Sequence, residues 1–185
     1  AAMAILATHI SAAAGAMTWM FYEWVKFGKP TALGSVTGMV AGLGTITPAS
    51  GFVGPAGALV IGIIAGAVCF NAVIMIKQKF KIDDSLDVFP VHGVGGICGT
   101  ILVGFFASKE LGIFSGQGGW SHEAIIISDQ LQIQLTAVVA TAAYTALATF
   151  VILKIVDVVT GLRVDSQTET QGLDLDSHGE TGYNL

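Results

Sequence analysis

Three aspartates and a histidine share one short stretch, Asp83-Asp84-Ser85-Leu86-Asp87-Val88-Phe89-Pro90-Val91-His92-Gly93-Val94-Gly95-Gly96. Asp87 stands at the entrance of an apolar run, where a carboxylate can accept from the exposed N–H groups of a helix start and favours the positive end of its dipole. Pro90 suits a first turn, because the N–H it lacks would have no helical partner there. His92 follows within about two turns and is flanked by glycines that leave room beside its ring. An imidazole held away from bulk water stays neutral, with one nitrogen donating and the other accepting. Such a ring can pass a small polar molecule or relay a proton. The competing reading is a packed histidine bonded to a backbone carbonyl of a neighbouring helix. His9 has Thr8 and Ser11 nearby but no carboxylate in its run, which favours structural hydrogen bonding. His122 and His178 lie in polar segments and read as solvated.

The elements that must position these groups are membrane helices. The chain has 185 residues, 53% hydrophobic, with only 8 Lys and Arg and 13 Asp and Glu. No charge occurs in residues 1–22, 30–76, 88–108 or 130–153. Apolar runs of this length read as membrane spans, since about 20 residues at 1.5 Å each cross a core of about 30 Å. The 47-residue run must hold two spans, because a single helix of that length would reach about 70 Å. Thr47-Pro48-Ala49-Ser50-Gly51 and Gly54-Pro55 mark the connection. The expected architecture is an all-α polytopic bundle. It has a membrane domain over 1–160, with five spans at about 1–25, 32–50, 56–76, 88–108 and 130–156, and a tail over 161–185. Lys26, Lys29, Lys77, Lys79, Lys81 and Arg163 collect on one side and Lys109 on the other. By the positive-inside rule the tail is cytoplasmic and residue 1 is outside. An exterior start without a signal peptide reads as the middle of a longer protein.

Glycine repeats at helical spacing at Gly34, Gly38 and Gly42, at Gly62 and Gly66, and at Gly95 and Gly99. Small residues four apart let helix backbones approach closely where lipid removes the hydrophobic drive for association. The segment from Ser108 to Asp129, with Gly112, Gly116, Gly118, Gly119 and Trp120, reads as an exterior connection. The tail from Thr160 is polar and holds much of the acidity behind the net charge of −5. Its composition permits disorder unless a partner or the body of the protein holds it.

Other chemistries fit poorly. Gly28-Lys29-Pro30-Thr31 lacks the first glycine of a phosphate loop, with Glu23 in its place. Gly93, Gly95 and Cys98 break the dinucleotide pattern at its third glycine. Around Asp174, Asp176 and Gly179 a calcium loop would need other residues at His178 and Leu185. Cys69 and Cys98 lie in apolar runs and read as small hydrophobes. No metal cluster, cofactor motif or nucleic-acid patch is visible. An intramembrane enzyme would need a nucleophile, a base and a water path, and His92 has no such partner in the sequence.

Several blocks resemble the Amt/Mep/Rh ammonium transporters. They are Trp19-Met20-Phe21-Tyr22-Glu23-Trp24 with Gly28-Lys29-Pro30-Thr31, Gly38-Met39-Val40-Ala41-Gly42-Leu43 with Ile46-Thr47-Pro48-Ala49, and Gly51-Phe52-Val53-Gly54-Pro55. The aspartate–histidine stretch and the tail residues Gly172-Leu173-Asp174 and His178-Gly179-Glu180 complete the likeness. It is similar to the last five of eleven spans of a microbial member.

The resemblance implies ammonium transport through a hydrophobic, histidine-lined pore. Ammonium would lose its proton at the constriction, and neutral ammonia or a separated proton would pass along the imidazoles. It makes His92 the second of two pore histidines and Asp87 and Asp84 the acids of the cytoplasmic approach. Val88 and Val40 become apolar walls that reject sodium and potassium. A homotrimer in the plasma membrane, methylammonium as a substrate analogue and a PII-type regulatory protein at the cytoplasmic face are implied as well. The first pore histidine, the exterior aromatic site and the phenylalanine gate of the family have no counterpart here. An ammonium sensor and a non-conducting structural bundle are the alternatives.

Overall fold

The computed structural model describes residues 1–115 and 126–181. They form helices α1 (Ala2–Phe27), α2 (Ala32–Ile46), α3 (Pro55–Ile74), α4 (Gly95–Phe106), α5 (Ile127–Val159), α6 (Ser166–Gln171) and α7 (Leu173–His178). A wide π-helical turn, Met75–Lys79, prolongs α3, and another, Phe89–Val94, leads into α4. Among the described residues the nearest approach to a strand is a single antiparallel bridge between Val53 and Ser115. The residues divide into two compact units, Ala1–Val138 and Val139–Leu185.

Among the described residues four stretches are long and apolar enough to cross a membrane: Ala2–Phe27, Pro55–Lys79, Phe89–Phe106 and Ile127–Val159. The span expected over 32–50 is instead a shorter apolar helix, Ala32–Ile46, because the backbone leaves the helix in turns from Thr47 onward. Pro55 then opens α3 from the first turn, where its missing N–H costs nothing.

In the first unit, α1, α2 and α3 pack backbone to backbone. A methyl group at Gly38 would run into the Trp19 side chain and the Gly15 carbonyl of α1, and one at Gly42 into the Ser11 carbonyl. Gly62 and Gly66 of α3 meet the same stretch of α1, at Ser11, Ala14, Gly15 and Thr18. The Ser11 hydroxyl donates to the Gly42 carbonyl at 2.9 Å, a buried bond between α1 and α2. Gly99 brings α4 onto the backbone of Thr45 in α2. Gly34, the first rung of the expected ladder, faces the Glu23 carboxylate rather than a helix backbone.

Two apolar clusters fill the spaces these contacts leave. One holds Ala7, Ile46, Ala49, Val53, Ala58, Ile61 and Val103; the other holds Trp19, Ala41, Cys69, Phe70 and Val91. Trp19 and Phe70 meet edge to face at a centroid distance of 5.3 Å. Beyond α4 the turn Lys109–Phe114 leads to Ser115, and Gly54 donates its N–H to the Phe114 carbonyl at 3.0 Å. Gly116, Gly118, Gly119, Trp120 and His122 lie outside the described residues.

In the second unit no residue of α5 is buried. The tail, whose composition permitted disorder, forms two short helices as far as His178. Asp165 caps α6, its carboxylate accepting from the N–H groups of Gln167 and Thr168 at 2.9 and 3.0 Å and from the Thr168 hydroxyl at 3.1 Å. These donors hold the Asp165 carboxyl below its ordinary range, the Thr168 N–H contributing most. Arg163 pairs with Glu169 at 2.7 Å, and Gly179 ends α7 in the left-handed conformation.

The seam between α2 and α4 has no space for a side chain at residue 99. Gly99→Val in a full-length protein carrying this sequence should lower folding stability by about 2 kcal/mol or more, the usual range for overpacking. A drop in detergent-solubilised melting temperature checks this; an unchanged value would refute the close approach.

Candidate functional site

The aspartate–histidine stretch enters the membrane helix by an arrangement different from the one its sequence suggests. The carboxylate that caps the helix start is Asp84. Its two oxygens accept from the N–H groups of Val88 and Phe89, each at 2.8 Å. Such charge-assisted bonds satisfy donors that have no helical acceptor. Asp87, expected in that role, is turned elsewhere because its backbone lies in the left-handed region at φ 56°. Its N–H donates to the Asp84 carbonyl at 3.2 Å, and its carbonyl accepts from Val91 at 3.0 Å. The Asp87 carboxylate meets Lys77 Nζ at 2.6 Å.

Asp87 also lines a cavity of about 210 Å³ in the first unit, together with Glu23, Thr31, Thr37 and Gln78 and the apolar Trp19, Phe27 and Phe70. Glu23, 9% exposed, is the buried acid of this cavity. Its carboxylate accepts from the Thr31 N–H at 2.7 Å and from the Thr31 hydroxyl at 3.1 and 3.2 Å. The Thr31 hydroxyl oxygen accepts in turn from the Gly34 N–H at 2.9 Å and so caps α2. A Cβ at 34 would occupy the space of the Glu23 carboxylate, so any other residue there would displace the acid. One acid thus joins the end of α1 to the start of α2.

The other proposed pore residues are dispersed around this framework. Val40 is half-buried and packs with Tyr22 against the cluster that contains Trp19, Phe70 and Val91. Val88, one residue beyond Asp87, is 52% exposed. His92 is exposed on the wide turn Phe89–Val94, whose Pro90 and Val91 are buried. His9 Nδ1 lies 3.0 Å from the Ile5 carbonyl one turn back, the local bond its surroundings favour. Asp84, Asp87, Val88 and His92 thus share one strand of chain at the head of α4, and Val40 approaches it through Val91.

The sequence reading missed two participants. Glu23 drew notice as a misfit to a phosphate loop and as one residue of a block that carries the family resemblance, and Lys77 only as one of several orienting positive charges. The available signals were an isolated acid in an apolar helix eight residues before Thr31, and a lysine ten residues before Asp87 across a short loop.

The fold and this acidic, partly apolar site define a multi-pass helical membrane protein. The model of the Ammonium Transporter Family matches residues 1–183, and the chain belongs to that family. It is 44% identical over 180 residues to an ammonium transporter of Bacillus subtilis, covering 97% of this chain and 44% of that protein. It is also 44% identical to ammonium transporter Amt1 of Archaeoglobus fulgidus, with the same shares. Among solved structures, Saccharomyces cerevisiae Mep2 superposes with a TM-score of 0.70 at 36% identity, over 85% of this chain and 38% of that one. A sensor Amt protein superposes with a TM-score of 0.81 at 29% identity, over 94% of this chain and 41% of that one. The chain thus spans less than half the length of the curated relatives it matches.

The clasp formed by Glu23 is testable apart from transport. Glu23→Ala would leave the Thr31 N–H and hydroxyl without their acceptor at a part-buried site, a loss of about 1 kcal/mol. Thermal unfolding of the full-length protein in detergent should show the drop, with Glu23→Gln intermediate. Equal stabilities for all three would mean that the clasp contributes nothing.

Proposed function

We infer that this chain is part of a protein that moves ammonium across a cell membrane as neutral ammonia, with His92 on the conduction path. The observation that supports this most directly is the position of His92. It is exposed beside apolar Val88 and just beyond a capped, acid-bearing helix entrance, in a chain that belongs to the ammonium transporter family. The physical ground is cost. An unpaired ion at the centre of a bilayer is disfavoured by several kcal/mol, whereas neutral ammonia is not. A path with apolar walls at Val40 and Val88 passes a molecule that can shed its charge and rejects sodium and potassium, which cannot. Ammonium is deprotonated before this stretch, the imidazole of His92 exchanges hydrogen bonds with the passing ammonia or relays the separated proton, and the ion reforms at Asp87 and Asp84.

In this reading the membrane domain covers 1–160 and the tail 161–185. The tail faces the cytoplasm, where the lysines of the turn at 77–81 also lie, in accord with the positive-inside rule. Three copies assemble in the plasma membrane, and the tail is the surface for a PII-type regulator. A second reading is favoured by the likeness to a sensor Amt protein: the same fold binds ammonium in order to report it.

Radiolabelled methylammonium uptake by the full-length protein separates the two. Transport predicts uptake that saturates and falls at least tenfold, or changes ion selectivity, in His92→Ala; uptake and selectivity equal to wild type would defeat the role of His92. No uptake by wild type, with ammonium binding intact, would favour the sensor. Removal of residues 165–185 should alter the response of uptake to nitrogen supply, and a response identical to wild type would exclude the tail from regulation.

A further inference from the structure

The pairing of Lys77 with Asp87 is not accounted for by helix capping, which Asp84 performs. Nor does it serve as an ordinary surface ion pair. Such pairs contribute little, whereas this one engages a carboxylate only 18% exposed on a residue whose backbone sits in a region that non-glycine residues rarely adopt. Lys77 lies within the wide helical turn Met75–Lys79, and Asp87 stands two residues before the turn Phe89–Val94. Turns of this kind are frequent at functional sites. The carboxylate also borders the cavity that contains Glu23, whose own oxygens are engaged by Thr31. Asp87 is therefore the acid of this cavity whose partner is a mobile-tipped side chain rather than backbone.

The chemistry of that partner is informative. A lysine ends in a primary alkylammonium with three N–H donors, the same group that methylammonium presents. The Lys77 nitrogen lies 2.6 Å from Asp87 Oδ1, beside the carboxylate to which a small cation would be drawn.

We propose that Lys77 is a tethered counter-ion that keeps Asp87 from retaining cations at the cytoplasmic mouth. This deepens the transport reading and rests on it. With Lys77 in place, a reformed ammonium ion finds the carboxylate already neutralised and leaves. Without it, Asp87 holds ammonium or potassium beside Val88 and obstructs the exit. Lys77 is thus a positioning residue that acts through Asp87 and sets turnover rather than binding on the far side.

The test uses full-length protein in proteoliposomes loaded with either potassium or N-methylglucamine, and reads methylammonium uptake as the ratio between the two interiors. Wild type should give a ratio near one. Lys77→Met should lower the ratio severalfold, through a reduced maximal rate at unchanged KM, and Lys77→Gln should behave alike. Lys77→Arg should restore it, because a guanidinium also neutralises Asp87. Lys77→Met/Asp87→Asn should return the ratio to that of wild type whatever its absolute rate, since the retaining carboxylate is gone. A ratio near one in Lys77→Met and Lys77→Gln, or a low ratio that persists in the double variant, overturns the proposal while wild-type uptake leaves the transport reading intact. Absence of uptake by wild type would overturn the transport reading and this inference with it.

Discussion

Close approach of helix backbones is the constraint on which the rest of the first unit depends. Within a bilayer the surroundings are as apolar as the side chains, so association rests on packing and on hydrogen bonds between helices. Helix α1 carries both. Ser11 and Gly15 receive α2 through Gly38 and Gly42 and α3 through Gly62 and Gly66, and the Ser11 hydroxyl adds a buried bond to Gly42. Gly99 repeats the device where α4 crosses α2. These contacts leave little freedom for the helix ends, and it is at the ends that the acids sit.

The polar machinery follows from that rigidity. Glu23 lies at the end of α1, Thr31 at the start of α2, Lys77 beyond α3 and Asp84 and Asp87 before α4. Glu23 accepts from Thr31 and Asp84 from the head of the turn that precedes α4, while Asp87 is ion-paired with Lys77. Helices held in fixed relation keep Glu23 beside Thr31 and Lys77 beside Asp87, and pairing offsets the cost of partly burying an acid.

The sequence revealed most readily what depends on local composition. Charge-free runs located the long apolar helices, because charge is excluded from the membrane core wherever it falls along the chain. The family resemblance, carried by the glycine-rich and aspartate–histidine blocks, agreed with the comparison over residues 1–183. What it could not reveal depends on local backbone geometry or on pairing across turns. Asp84 and Asp87 are equally placed in sequence to cap a helix, and the choice is made by the left-handed conformation of Asp87. Lys77 reads as one lysine among three near the end of an apolar run; its role appears only when the loop after it folds back. Gly34 continued a plausible packing ladder, yet its lack of a side chain accommodates an acid.

The turn Phe89–Val94 has a geometric consequence for the two faces of the segment it begins. A π-helical turn accommodates one residue more than an α-helical turn, and a single residue corresponds to about 100° of rotation about the axis. The phase of His92 relative to the Gly95–Gly99 seam is therefore set by that extra residue. Tightening the turn would swing the imidazole away by roughly a quarter of a circle while the glycines kept their hold on Thr45. The ring's heading and the helix's seating are thus separately adjustable, and a one-residue deletion here would alter the first without unseating the second.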